Sequence, residues 1–117
     1  MNYKEQAKEV QDKIFAGQLL EAFEQYYAED VEMHEIGHEP RKGKAANREY
    51  EQNFLNSVSE FHGGGVTHIA FDDQHEVAMI ESWMDVTFKE QGRVKMSQVS
   101  VQEWKDGKVV KERFYHT

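Results

Sequence analysis

Three side chains of this 117-residue sequence suit acid–base chemistry in a pocket: Glu35, Glu112 and His116. An apolar cup disfavours the charged form of a carboxylate. That raises its pKa and suits it to general acid or base work. A His titrates near neutral pH and complements it. Glu35 also lies within His34-Glu35-Ile36-Gly37-His38, which spells H-E-x-x-H. On a helix, that spacing turns both imidazoles toward one zinc ion while the Glu polarises a water, as in zinc proteases. Here the preceding residues alternate as in a strand, Gly37 interrupts the motif and Pro40 follows at once. Arg41 and Lys44 occupy the positions where the extended motif needs Gly and a third His, so Glu51 or Glu60 would have to complete a metal site. A strand and turn are therefore expected, with His34 facing away from Glu35. No metal and no cofactor is expected.

Two other motifs invite chemistry. His62-Gly63-Gly64-Gly65 has the lettering of an esterase oxyanion segment, but no G-x-S-x-G supplies a nucleophile, so a helix cap and loop are expected there. Gly37 to Lys44 is not a phosphate-binding loop, because the spacing is one too long and Ala45 cannot ligate magnesium.

The elements that position these groups follow from periodicity. Ala7, Val10, Ile14 and Phe15 predict a helix over 3–16, and Leu19, Leu20, Phe23, Tyr26 and Tyr27 predict a second. Val31, Met33 and Glu35 alternate as a short strand. After the turn around Pro40, a third helix is expected over 44–61, with Ala46, Tyr50, Phe54 and Val58 along one stripe. Strands are expected over 66–71, 76–88, 93–104 and 108–116, with Gln91-Gly92 and Asp106-Gly107 as two-residue turns. Helices first and an antiparallel meander afterwards make an α+β domain spanning residues 1–117.

Two-residue turns fix a register, and the register fixes the faces. One face carries Ala78, Ile80, Ser82, Met84, Val86, Phe88, Val99, Val101, Val110 and Phe114, with Ser97, Glu112 and His116 among them. This face should meet the helices. A pocket lined by Phe23, Tyr27, Tyr50, Phe54, Val58, Ser82, Met84, Val99, Val101 and Phe114 is expected between them. Glu112 alternatively serves a buried polar partner such as Tyr50 or Ser97. The opposite face carries Glu81, Trp83, Asp85, Gln98, Ser100, Gln102, Trp104, Lys111, Arg113 and Tyr115. Large aromatics among charges suit a protein–protein surface, so a homodimer through Trp83, Trp104, Arg113 and Tyr115 is expected.

Composition narrows the partners. The formal net charge is −8, from 14 basic and 22 acidic residues, which argues against a nucleic acid or an anionic membrane. The absence of Cys excludes disulfides and thiol catalysis. The first ten residues carry four charges and form no apolar leader, and no run is long enough to span a bilayer. A cytoplasmic protein is expected.

The run Tyr27-Ala28-Glu29-Asp30, followed by Glu39-Pro40-Arg41-Lys42-Gly43-Lys44-Ala45-Ala46, resembles the Y-A-D-D…E-P-R-x-G-x-A-A run of ketosteroid isomerases, with one residue fewer before the E-P-R. Gly107-Lys108-Val109-Val110 is similar to the start of their last strand. With the order of elements, this resembles the nuclear transport factor 2-like cone, the superfamily that holds the SnoaL-like proteins. The resemblance implies three N-terminal helices packed on a curved antiparallel or mixed sheet. It puts the isomerases' general base on Glu35. It also puts their oxyanion-hole Tyr on or near Val10, and their proton-donating neutral Asp near Val99, or Val101 if the turn shifts. Neither can donate, so ketosteroid isomerisation itself is not expected. What the resemblance implies is a pocket protein for a small hydrophobic molecule. One reading is a cofactor-free isomerase, cyclase or hydratase using Glu35 on a carbonyl compound. The alternative is a non-catalytic ligand-binding or dimeric interaction module.

Overall fold

A computed structural model describes residues 2–116; Met1 and Thr117 of the expected domain lie outside the described residues. Helix α1 (Tyr3–Phe15) opens on Asn2, whose side chain accepts from the Glu5 amide while the Glu5 carboxylate accepts from the Asn2 amide. This reciprocal cap satisfies two amides that a helix start leaves orphaned. After Gly17 the chain turns into α2 (Leu19–Tyr26), which runs directly into strand β1 (Tyr27–Glu35). Strand β2 is the two-residue Arg41–Lys42, followed by α3 (Lys44–Ser57). Four long strands complete the chain: β3 (Val58–Asp72), β4 (Val77–Phe88), β5 (Gly92–Lys105) and β6 (Lys108–His116). They form one mixed sheet in the order β2-β1-β6-β5-β4-β3, in which β1 runs parallel to β6 and every other neighbour is antiparallel. The fold is α+β. The core lies where α1, α2 and β1 meet the sheet, at Val10, Phe23, Val31, Met33, Ile80 and Val109. Among the described residues, no helix is long and apolar enough to cross a membrane.

Several expectations are corrected. The third helix ends at Ser57, and the glycines after His62 lie inside β3 rather than in a cap. They are glycines because the strand is approached from both sides. A Cβ on Gly64 would stand 2.7 Å from Phe15 of α1 and 2.9 Å from the Trp83 carbonyl oxygen. On the other side of the strand, Gly63 and Gly65 make room for the Trp83 indole. The stripe on α3 is also rotated. Ala46 is exposed, and the buried residues are Lys44 and Asn47.

The largest correction concerns β5. Asp106 and Gly107 both have positive φ, as the expected tight turn requires. The turn before β5 is longer. Phe88 is opposite Gly92, so three residues make the loop, and Gly92 takes φ +81°. Three-residue hairpins of this kind place a glycine in the left-handed region. Met84 is thus opposite Met96 instead of Val99, and a shift by an odd number turns β5 over. A bulge at Glu103/Trp104 then moves Glu112 opposite Gln102, not Val101. The inner face of β5 is Met96, Gln98, Ser100, Gln102 and Trp104. Val99 and Val101 lie on the outer face, and Val99 is exposed. Trp104 is 4% exposed and belongs to the core, so it is unavailable to the expected dimer surface.

Candidate active site

A cavity of about 330 Å³ opens between the three helices and the concave face of the sheet. Helices α1 and α2 supply an apolar wall with Val10, Ile14, Phe15, Leu19 and Phe23. Tyr50 and Phe54 face it from α3, and Ser82, Met84 and Phe114 from the sheet. Tyr27 enters from the start of β1, its ring stacked on Phe23 at 4.9 Å. Of the expected lining residues, Val58 sits half-buried at the α3–β3 junction, and Val99 and Val101 are on the wrong face of the sheet.

All three expected catalytic residues border this cavity, in very different settings. Glu35 ends β1 and is held by Arg41, whose Nη2 donates to its carboxylate at 3.1 Å. Arg41 is itself immobilised. Its Nε donates to Asn47 Oδ1 at 3.1 Å, and its guanidinium lies 3.5 Å from the Tyr50 ring centroid. Asn47, fully buried, donates to the carbonyl oxygens of Arg41 and Gly43 and so fixes the turn from β2 into α3. The Pro40-Arg41 turn thus serves as a clamp on Glu35. The H-E-x-x-H residues divide between the end of β1 and the turn after it, so the helical geometry that zinc-protease chemistry needs is not formed. No group of three or more potential ligand side chains occurs among the described residues.

Glu112 lies under the cavity floor and is 2% exposed. One carboxylate oxygen accepts from the Tyr27 hydroxyl and the other from Gln102 Nε2 at 3.0 Å. Gln102 in turn accepts from the Trp104 indole N–H at 3.2 Å. Burial pushes the Glu112 carboxyl up to about 7, against the hydrogen bonds from Tyr27, Gln102 and Ser100 that favour its charged form. Burial and the neighbouring Glu112 charge push the Tyr27 phenol well above its ordinary value. The partner of Glu112 is therefore Tyr27, not Tyr50 or Ser97. His116 is exposed and stands at the rim of the cavity.

A fourth group comes from α3. Glu51 lines the cavity and makes no hydrogen bond or ion pair with another described residue. Burial pushes its carboxyl up to about 7; the Glu112 charge adds to this and Arg41 opposes it. In the sequence, Glu51 stands out only as a possible third metal ligand. The available signal was its spacing: Asn47, Glu51 and Phe54 fall on one side of α3, so a charge there faces inward. Gln11, 7% exposed on α1, and Gln98 and Ser100 on β5 also border the cavity. The two oxyanion positions that fell on Val10 and Val99 thus have polar neighbours, Gln11 on the helix and Gln98 or Ser100 on the strand.

In physical terms, one apolar cavity holds an ion-paired carboxylate, a buried carboxyl saturated with hydrogen bonds, and a third carboxyl without a partner. Carboxyls in such different environments can occupy different protonation states at one pH, the condition for acid and base to work side by side.

The fold has known relatives. The model of the SnoaL-like domain family matches residues 1–116. A protein from Mesorhizobium loti, designated a candidate SnoaL-like polyketide cyclase, is similar in structure with a TM-score of 0.86 and 31% identity, covering 98% of this chain and 99% of its own. The epoxide hydrolase/cyclase-like enzyme SalBIII, described in pyran ring formation in the polyether salinomycin, has a TM-score of 0.81 at 21% identity over 98% of this chain and 90% of its own. An epoxide hydrolase of M. tuberculosis shares the fold at 14% identity, with a TM-score of 0.78 over 98% of this chain and 82% of its own. No curated protein matches the chain at a significant level. With the family model spanning nearly its whole length and a 31%-identical structure covering it end to end, the chain belongs to the SnoaL-like family.

Proposed function

We propose that this chain is a cytoplasmic, cofactor-free acid–base catalyst acting on a small hydrophobic, carbonyl-bearing compound, as an isomerase, cyclase or hydratase. The observation that carries this reading is the set of three carboxyls, Glu35, Glu51 and Glu112, around one apolar cavity. Arg41 holds the Glu35 carboxylate in a fixed position at the cavity edge, which suits it to act as the base. Glu112 sets the electrostatics of the floor, and His116 at the rim is placed to exchange protons with solvent. One fold relative is described in pyran ring formation and another as an epoxide hydrolase, and general acid–base catalysis can serve either kind of reaction. Native mass spectrometry of the purified protein, followed by turnover assays on the ligand recovered, tests the reading. Glu35→Gln should retain ligand binding and lower kcat by about 10²–10⁴-fold, the usual contribution of a positioned base. A Glu35→Gln variant with unchanged kcat removes Glu35 from the role of base, and a wild-type chain that binds the recovered ligand without turning it over favours a passive binding module instead.

We also propose a homodimer through the outer sheet face, with Trp104 removed from the expected set. Trp83, Arg113 and Tyr115 stay on that face and are joined by Met79 and Val99, both exposed. The ion pairs His68–Glu81 and Arg113–Glu103 lie among these apolar groups. A two-fold axis through the patch would set acidic and basic groups of the two copies against each other.

A further inference from the structure

The polar groups around the cavity divide into those already held by a protein partner and those whose hydrogen-bonding capacity is open to a ligand. Glu35 is committed to Arg41. Glu112 is committed to Tyr27 and Gln102. Ser82, Gln98 and His116 are cross-strand neighbours in one row over β4, β5 and β6 that runs out to the exposed His116, where water reaches it. On the helices the Tyr50 hydroxyl belongs to a side chain 41% exposed, and two more deeply placed groups are left. Gln11 is 7% exposed, borders the cavity and makes no hydrogen bond with another described residue. Glu51 borders the same cavity, also without a partner. No fully buried side-chain polar atom of the described residues lacks a partner, so the Gln11 carboxamide faces the open space of the cavity; a ligand that takes that space without replacing its hydrogen bonds would cost about 1–3 kcal/mol, and one that replaces them suits the site.

We propose that Gln11 and Glu51 are the polar contacts for the bound molecule: the Gln11 amide donates a hydrogen bond to a carbonyl or hydroxyl oxygen of an uncharged, otherwise apolar ligand, and the Glu51 carboxyl exchanges the proton. This rests on the acid–base reading of the same cavity. It adds to the base at Glu35 a second proton-exchanging group, on α3, that the isomerase resemblance did not mark, and it supplies a donor on α1 where Val10 has none. The same arrangement selects against anions. Three carboxyls surround the cavity, and the one guanidinium beside them is already engaged by Glu35. An acid anion therefore meets repulsion, with no Lys or Arg among the described lining residues to offset it. The charge on Glu51 also has a geometric reason to change on binding: a ligand filling the cavity displaces the water that solvates the carboxylate. The shift of its carboxyl toward neutrality agrees with that exposure to an apolar space.

Fluorescence titration with three two-ring probes tests this directly: 2-naphthol, 2-methylnaphthalene and 2-naphthoate. The wild-type chain should bind 2-naphthol about fivefold to tenfold more tightly than 2-methylnaphthalene, the effect of one or two net hydrogen bonds. It should bind 2-naphthoate more weakly than either. Gln11→Met keeps the volume and removes the donor, and should bring the first ratio close to one. Glu51→Gln should abolish the change in 2-naphthol affinity between pH 6 and pH 8 that the wild type shows. Melting curves confirm that both variants fold. Equal binding of 2-naphthol and 2-methylnaphthalene, an unchanged ratio in Gln11→Met, or a wild-type pH dependence in Glu51→Gln each overturn the assignment. If turnover depends on Glu35 while the oxygen preference ignores Gln11 and Glu51, this inference fails and the acid–base reading stands. If none of the probes enters the cavity, both fail.

Discussion

The floor and the helical wall of the cavity solve the same problem in opposite ways. Both hold carboxyls in apolar surroundings. On the floor, Glu112 is surrounded by donors from Tyr27, Gln102 and Ser100, and Gln102 is oriented by the Trp104 indole. That network is closed: no buried side-chain polar atom of the described residues is left without a partner. On the wall, Glu51 has no such shell. A saturated network specifies structure, whereas an open group is available to a ligand. The contrast teaches that burial alone does not mark a reactive group. Glu112 is the more deeply buried of the two, and Glu51 is the better placed to react.

The largest effect should come from breaking the floor. Gln102→Leu removes the donor to Glu112 and the acceptor of Trp104 at once, and should destabilise the fold by about 2–4 kcal/mol in denaturant melts. At pH 4.5, where the folded Glu51 carboxyl is protonated, Glu51→Gln exchanges one neutral group without hydrogen-bonded protein partners for another and should shift the same melts by less than about 1 kcal/mol. If the two variants cost the same, the distinction between floor and wall collapses. The Glu35 clamp lies between these extremes. Arg41→Met loses a partly exposed ion pair and the bond to Asn47, and should cost about 1–2 kcal/mol.

Stability against pH sharpens the comparison further. The folded carboxyls of Glu51 and Glu112 titrate at about 7, above the ordinary value of 4.5. Between those values the folded chain holds protons that the unfolded chain has released. Stability therefore falls as pH rises from 4.5 to about 7, and levels off above it. Each such proton contributes a slope of up to about 1.4 kcal/mol per pH unit. Glu112→Gln should remove its share of that slope, which equilibrium melts between pH 4.5 and 8 would register. The smallest effect is expected far from the cavity. Val99→Glu on the outer face should leave monomer stability within about 0.5 kcal/mol and shift the molecule to monomer in sedimentation experiments. A variant that sediments like the wild type argues against a dimer on that face.

Much of this was legible in the sequence, and the failures have definite causes. The helices, the late meander and the Asp106-Gly107 turn follow from local periodicity and local φ preference. The clamp region was locatable because Glu35, Arg41 and Asn47 lie within a short segment. The floor was not. Its members, Tyr27, Gln102 and Glu112, are joined by cross-strand register, and register depends on loop length and bulges that one sequence leaves open. One extra loop residue and one bulge moved Val99, Val101 and Trp104 to the wrong sides of the sheet. Val-rich alternation on β5 made the inverted assignment attractive, because Val99 and Val101 are apolar while Ser100 and Gln102 are polar. The inner face of β5 is polar because it serves Glu112.

The central claim is that the wall of the cavity presents a carboxyl poised to exchange a proton near neutral pH. Carbon-detected NMR titration of the Glu side-chain carboxyls, assigned with Glu51→Gln and Glu112→Gln, measures this directly. The account predicts that the Glu51 resonance titrates with a midpoint of about 7 and that the midpoint falls when Glu112 is replaced by Gln. A midpoint at the ordinary 4.5, indifferent to Glu112, would contradict it.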